Sequence, residues 1–564
     1  MMSDKQARKL SLWLLSACIV WVLSALLIYP VYEIFSTSFY KNGEFSTSAL
    51  MRLWNSKRVN DSVINTLRIS LYTIITVNIV GIFQVAVIDF FKVRGATILK
   101  FAFMTPLIYS SVALVTGYNF IYSSTGIITK LLVDVFPDMN RHWFRGEYAV
   151  LFVHTFSMTT MHILFLRAAI KKIDFSVVQA ARSLGMGVIP TFIKIVLPVL
   201  SPTLFAVTLL TLLSSLSSFA APEILGGKDF HMVNSIILLL SQIGRADMAA
   251  LLALLLGLVS LVLLVLMRRI EDKGTYYSIS KTTERLQKVE IPSKIANITV
   301  HIIAYTLFIV YIAPVALVII FSFAPSESIL TETFPTRFTL ENYKTVLSGG
   351  HAFKPFLNSV NLSSISTLAG LIFAVICTNL IHKYKNVFAK GLEYILYLPW
   401  FMPSTMIAIG FIVAYDAPKA LIFGNVLVGS YWILPIAMTI SGLPFMVRML
   451  GAGLRSMDPN LDDAAKSLGA SPLYSFFKVT LPLMAPVIIL VGALSFKSSL
   501  SDYNLSVMLY NVDNLPLGIA LMNATTAVGD EQTAISLVYI VLMMIIASII
   551  TFLANHYGMD KNKH

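Results

Sequence analysis

One stretch of this chain occurs twice. Asp458-Pro-Asn-Leu-Asp-Asp463-Ala464-Ala465-Lys-Ser-Leu-Gly469, closed by Leu481-Pro482, repeats an earlier Asp174-Phe-Ser-Val-Val-Gln179-Ala180-Ala181-Arg-Ser-Leu-Gly185, closed by Leu197-Pro198. Every matched pair lies 284 positions apart, and Phe192/Phe476, Lys194/Lys478 and Pro202/Pro486 keep the same interval. A repeat that long requires the chain to build one unit twice.

Each copy carries the marks of a short helix with defined ends. Asp174 and Asp458 are good N-caps, and Pro459 stands at the first helical position, where its missing N–H costs nothing. Gly185 and Gly469 supply the left-handed residue that stops a helix. Paired alanines on one face let another surface approach closely. A plain connector between apolar helices would need caps, but not two copies in strict register.

Composition places the repeat in a membrane. Of 564 residues, 57% are hydrophobic and 13% charged, with a mean hydropathy of +0.78. That is a multi-spanning chain in a lipid bilayer. The net charge of +13 then reads as basic loops on one side rather than as a nucleic-acid surface. Cys18 and Cys377 both lie in apolar runs and suit neither a disulfide nor a metal site.

The first apolar run, ending near Pro30, is long enough to span and lacks a small-x-small cleavage site, so it reads as an uncleaved helix. Further runs lie near 62–90, 98–122, 148–168, 192–221 and 249–267, then near 295–323, 358–382, 391–415, 428–450, 480–500 and 534–555. The expectation is twelve transmembrane helices in two parallel six-helix repeats, all α. The halves are 1–269 and 295–564, joined by a polar cytoplasmic linker, 270–294. Lys92, Arg94, Arg268, Arg269, Lys383, Lys390, Lys561 and Lys563 mark alternate loops, so both termini and both motifs are expected in the cytoplasm. Before the motif the repeat interval is 293, as for Pro106/Pro399 and Tyr122/Tyr415. The first half therefore has nine extra residues after Tyr122, assigned to an outward loop.

At this point a resemblance becomes specific. Glu-Ala-Ala, three residues, Gly, nine residues, then Ile-x-Leu-Pro is the signature loop of ABC-importer permeases. The chain gives Gln179-Ala180-Ala181, Gly185, Ile195, Leu197-Pro198, and Asp463-Ala464-Ala465, Gly469, Val479, Leu481-Pro482. Both copies lack the usual Glu. The whole chain resembles the fused, two-copy permeases of ferric-iron, thiamine and phosphonate importers. The resemblance implies the type I importer permease fold, a bacterial inner-membrane location, and a homodimeric ABC ATPase docked on the motifs. It also implies an extracytoplasmic solute-binding protein. The coupling residues it implies are Asp174, Gln179, Ala180, Ala181, Gly185 and Pro198, with Asp458, Asp463, Ala464, Ala465, Gly469 and Pro482. No catalytic role falls to the chain itself. Gly226-Gly227-Lys228-Asp229 lacks the upstream glycine and the following Ser or Thr of a phosphate loop, so ATP and Mg belong to the partner.

After each Leu-Pro, a helix ends in a polar cluster. One is Ser214, Ser217, Ser218, then Glu223; the other is Lys497, Ser498, Ser501, Asp502 and Tyr503. Ionisable groups at membrane depth face the bundle interior or a watery cavity, so these are the candidates for a translocation path. The plainer alternative is that the serines pack helices and the charges mark helix ends. Tyr109, Ser110 and Ser111, opposite Met402, Pro403 and Ser404, are lesser candidates. His154 and His162 are not at chelating spacing and read as satisfied packing residues.

A different class, an ion-coupled transporter of twelve helices, fits the topology but gives no reason for the repeated capped loop. A membrane enzyme would need a His or carboxylate constellation that the apolar runs lack. Ferric iron is the first expected substrate, from the resemblance, with thiamine, phosphonates and sugar phosphates as alternatives. A hard ferric ion favours oxygen ligands such as Asp502, Glu223 or Tyr503, whereas a phosphorylated solute favours Lys497.

Overall fold

Inside lipid, each backbone N–H and C=O must bond within its own segment, and this chain meets that demand with helices. The computed structural model describes residues 4–41, 43–273, 286–384, 386–458, 460–527 and 529–559. Among them, ten helices are long and apolar enough to cross a membrane. The first half contributes Trp13–Phe39, Lys57–Phe90, Glu147–Ile170, Val188–Leu216 and Ala246–Leu266. The second contributes Lys294–Ser322, Lys354–Lys383, Ile433–Arg455, Leu473–Leu500 and Asp530–Leu553.

The segments expected as the third helix of each half are not continuous. Val387–Phe401 and Ser404–Tyr415 form one apolar unit bent by 106°. Its first-half counterpart is split into Ala96–Phe103, a tight turn Thr105–Ile108, and Ser111–Tyr122. Proline is the cause in both: Pro106 and Pro399 sit in tight turns, and Pro403 precedes the restart. Ser110 caps the restarted helix by accepting from the Ala113 N–H at 3.1 Å, which gives that serine a structural use.

The opening helices of the halves are exchanged. Ile19, Leu23 and Leu27 belong to a buried cluster made otherwise of second-half residues such as Leu396, Phe411 and Met446. The Tyr415 hydroxyl donates to the Ala25 carbonyl. Reciprocally, Val300, Ala304 and Tyr311 pack with Phe90, Ile163 and Val196 of the first half, and Tyr311 pairs with Thr159. A further cluster mixes Tyr118, Val150, Phe219 and Met232 with Phe321, Tyr503, Leu517 and Val538. Each half is thus held by an element of the other.

In lipid, helix association depends on close packing and interhelical hydrogen bonds. The first half uses bonds: His154 pairs with Thr73 at 3.2 Å and Ser218 at 2.8 Å, while His162 and Thr208 both reach the Asn78 Oδ1, at 3.1 Å and 2.9 Å. The matched positions in the second half are Met438, Met446, Leu371 and Gly492. There the same task falls to apolar contact: a Cβ added at Gly492 would stand 2.9 Å from the Leu371 Cδ1.

The inserted residues are partly ordered as a helix, Ile127–Val135, rather than a bare loop. Trp143 donates to the Thr129 hydroxyl at 3.0 Å, and Lys130 donates to the Leu330 carbonyl of the other half at 2.7 Å. In the polar segment between halves, residues 274–285 lie outside the described residues, as do Pro459, Lys561 and Lys563. The segment's far end is pinned to the first half. Val289 exchanges backbone bonds with Phe90 and Lys92 at 2.8 and 2.9 Å, and Lys92 pairs with Glu290 at 2.5 Å. That ammonium holds the Glu290 carboxyl below the usual carboxylate range.

Candidate functional site

The two motifs form helices Phe175–Ser183 and Asn460–Ser467. The Asp174 carboxylate accepts from the Ser176 N–H at 3.0 Å, and Asp458 accepts from the Asn460 N–H at 2.9 Å. At the other end, the Met186 N–H bonds the Ala181 carbonyl and the Gly185 N–H bonds that of Arg182, at 3.1 and 3.0 Å. This is a Schellman closure. The matching Ala470 N–H bonds the Ala465 carbonyl at 3.0 Å. Gly185 and Gly469 have φ of +86° and +79°, a conformation that favours glycine.

Phe175 and Val178 turn inward into a cluster with Ile173, Phe192 and Val289, and Ala181 is buried as well, so the first helix is seated on the membrane helices. Gln179 and Ala180 are exposed, as is Ala464, while Ala465 is half-buried. Asp463 lies within the second helix. The sequence reading passed over Leu184 and Leu468, which are 89% and 88% exposed. They are matched by the repeat and stand immediately before the left-handed glycines, each offering a large apolar side chain to whatever docks there. Leu184 also lines a groove of roughly 440 Å³ with Val177, Met186 and Ile195. The signal was present in the repeated Ser-Leu-Gly, but sequence alone does not show which way the leucine before the glycine faces.

Both helices lead into the same irregularity. Phe192–Val196 and Phe476–Thr480 are π-turns, in which the Leu197 and Leu481 N–H groups reach five residues back to Phe192 and Phe476. Pro198 and Pro482 follow, with no N–H to offer and a ring that crowds the carbonyl behind it, and the wider turn relieves that crowding. Motif, π-turn and membrane helix therefore form one connected unit in each half.

The polar ends of those helices meet across the halves. Phe219 and Tyr503, equivalent in the repeat, are both buried, with ring centroids 5.6 Å apart. Ser214 and Ser498 are exposed, and Ser217 and Ser501 half-buried, each pair alike. Ser218 differs from its partner, because its hydroxyl is engaged by His154 at 2.8 Å. The Ser218 carbonyl accepts from Asn234 at 3.1 Å, and Asn234 in turn accepts from Thr405 of the second half at 2.8 Å.

Asp502 has a structural use. Its Oδ2 accepts from the N–H groups of Leu505 and Ser506 and from the Ser506 hydroxyl, at 3.2, 3.0 and 3.1 Å. All three bonds fall on Oδ2, at the start of helix Ser506–Leu509, which is the helix-end alternative weighed above. Glu223 is half-buried in the first turn of Ala220–Leu225. Among the described residues Lys497 has no carboxylate partner; its ammonium donates to the Leu107 carbonyl at 2.7 Å, inside the break of the first half's third span, and lies 3.5 Å from the Thr551 hydroxyl. Among the described residues, no three His, Cys, Asp or Glu side chains stand close enough to share a metal ion.

The chain matches the family model described as binding-protein-dependent transport system inner membrane component, over residues 53–273 and again over 366–558. It is 43% identical over 550 residues to the "Probable ABC transporter permease protein y4fN" of Sinorhizobium fredii, covering 97% of each chain. The ferric transport system permease protein FbpB of Actinobacillus pleuropneumoniae is 23% identical over 547 residues, covering 95% of this chain and 76% of that one. A Salmonella paratyphi A protein named for a 2-aminoethylphosphonate transport system, PhnV, is 26% identical over 260 residues, 46% of this chain and 94% of its own. One half of this chain thus compares with nearly all of that protein. With its capped motif and its membrane helices present twice, the chain belongs to the family of binding-protein-dependent transport system inner membrane components, as a fused two-copy permease subunit of an ABC importer.

Proposed function

We propose that helices Phe175–Ser183 and Asn460–Ser467 are coupling helices on which two copies of one ABC ATPase subunit dock at the cytoplasmic face. The carrying observation is their likeness: the same caps, the same closing glycine and the same exposed leucine, Leu184 or Leu468. Equivalent docking elements suit two copies of one ATPase subunit, which hold the ATP and Mg; the chain itself binds no cofactor. A short capped helix resists bending, so closure of the ATPase pair displaces it as a body. The π-turn and Leu-Pro pass that displacement to the helices ending at Ser217 and Ser501. Parting Phe219 from Tyr503 opens a passage lined by Ser214, Ser498 and Lys497 to a binding protein on the outer face. Both termini are cytoplasmic in this topology.

Ferric iron is the leading substrate, on the strength of relatives named for ferric transport that match along most of the chain. A second reading, a phosphonate or phosphate ester, is favoured by Lys497, whose ammonium, bonded to a neutral carbonyl, repels a trivalent cation and attracts an anion. Uptake of labelled ferric iron and labelled 2-aminoethylphosphonate in cells with and without the chain tests both. Under ATP depletion, uptake that depends on the chain is expected to stop, and under an ionophore that spares ATP it is expected to continue. The reverse pattern would make the chain an ion-coupled transporter.

A further inference from the structure

At the motif end of the first half, Arg167 clasps Asp89 by two bonds, Nε to Oδ2 at 2.5 Å and Nη2 to Oδ1 at 3.1 Å. The repeat matches these positions to Gly451 and His382. The second half therefore has no clasp, and a pocket of roughly 290 Å³ stands in its place. Thr378 and His382 line it from one helix, Glu393 and Tyr397 from the next, and Gly451 and Arg455 from a third. It is open because residue 451 has no side chain. A Cβ there would lie 3.4 Å from the Arg455 Nη1 and 3.6 Å from the Thr378 Cγ2, so anything longer than a methyl group must enter the cavity.

The pocket carries both signs of charge without joining them. Among the described residues, neither Arg455 nor Glu393 has an ion-pair partner. The Glu393 carboxylate accepts only the Tyr397 hydroxyl, at 3.4 Å. The surroundings are those of a membrane boundary: Tyr394 is 72% exposed, and Arg448 lies over the Trp400 ring at 5.3 Å. The two helices that supply His382 and Glu393 also border an apolar groove of roughly 230 Å³, walled by Trp13, Leu380 and Leu392.

We propose that this pocket binds a zwitterion of the phosphoethanolamine type, its phosphate on Arg455 and His382 and its ammonium on Glu393. The groove on the same two helices offers the apolar Trp13, Leu380 and Leu392 to an acyl chain, so a phosphatidylethanolamine headgroup is one source and a soluble phosphoethanolamine-like solute the other. The ATPase does not enter this inference; a soluble occupant would be close in chemistry to the 2-aminoethylphosphonate of the second substrate reading, whereas a lipid occupant is independent of the transported solute.

The test is native mass spectrometry of the purified full chain, equilibrated in turn with phosphatidylethanolamine, phosphatidylcholine and phosphatidylglycerol, then challenged with soluble phosphoethanolamine. A primary ammonium donates to Glu393 and a trimethylammonium cannot, so phosphatidylethanolamine is expected to be retained about tenfold over phosphatidylcholine. Glu393→Gln should erase that preference. The pair Gly451→Arg with His382→Asp rebuilds the clasp of the first half, and should abolish retention while the melting temperature holds or rises. Displacement by millimolar phosphoethanolamine would assign the pocket to a free zwitterion, and resistance to it would assign the pocket to the lipid. Equal retention of all three lipids with no binding of phosphoethanolamine, or undiminished retention in the rebuilt clasp, would overturn the proposal.

Discussion

Gly185 and Gly469 hold left-handed backbone with nothing within 4 Å of an added Cβ, so a substitution there acts through conformation and not through collision. A β-branched residue in that region costs about 1–3 kcal/mol, whereas Asn enters it readily. Gly185→Val combined with Gly469→Val is therefore expected to lower ATP-driven uptake about tenfold or more, and the two Asn replacements to retain most of it. Measuring uptake per molecule of permease in the membrane separates lost coupling from lost expression. Equal uptake by the Val and Asn forms would remove the glycines from the mechanism. These residues were legible from spacing alone, because a left-handed stop after a capped helix has few occupants. The role of Leu184 and Leu468 was not, since a leucine inside a helical pattern is normally buried and only the folded chain turns these two outward. Asp502 was legible as polar, while its bonds to the first turn of Ser506–Leu509 were not. Its commitment to Leu505 and Ser506 depends on a tight turn that no pattern in the apolar run announces.

At the scale of elements, the two halves solve one packing problem by different chemistry. His154 ties Thr73 and Ser218 together by hydrogen bonds, and Met438 holds the equivalent place by contact. Interhelical bonds in membranes average about 0.6 kcal/mol, while truncating a buried methionine to alanine costs about 2–5 kcal/mol in soluble cores. Met438→Ala is thus expected to lower the melting temperature of the detergent-solubilised chain more than His154→Ala does. The opposite order in a thermal unfolding series would mean that the polar network is the stronger tie. Apolar runs and the repeat interval made most of the helices legible. The 106° bend between Val387–Phe401 and Ser404–Tyr415 was not, because hydropathy measures apolar length and is silent about direction. Pro106 and Pro399 were legible as a repeat pair; the full break follows from Pro399 and Pro403 close together and from the Ser110 cap on the other copy.

In the whole molecule, exchanged first helices and the Phe219–Tyr503 contact make the two halves one machine. In the passage proposed above those rings are the closure, so tethering them should stop transport. With Cys18 and Cys377 replaced, Phe219→Cys and Tyr503→Cys together are expected to cross-link on oxidation and block uptake, with recovery on reduction. Undiminished uptake in the cross-linked form would move the passage elsewhere. Import by this chain depends above all on an ATPase docked at both motif helices. The decisive measurement is the Mg-dependent ATP hydrolysis that purifies with the chain from its own membranes, compared between the native form and the pair Leu184→Asp, Leu468→Asp. An aspartate in place of a leucine buried on docking costs several kcal/mol, enough to empty both sites. The account predicts two ATPase subunits with each native chain and almost none with the variant, while the variant still folds in the membrane. Native chain that purifies without any ATPase, or a variant that keeps its full complement, would contradict it.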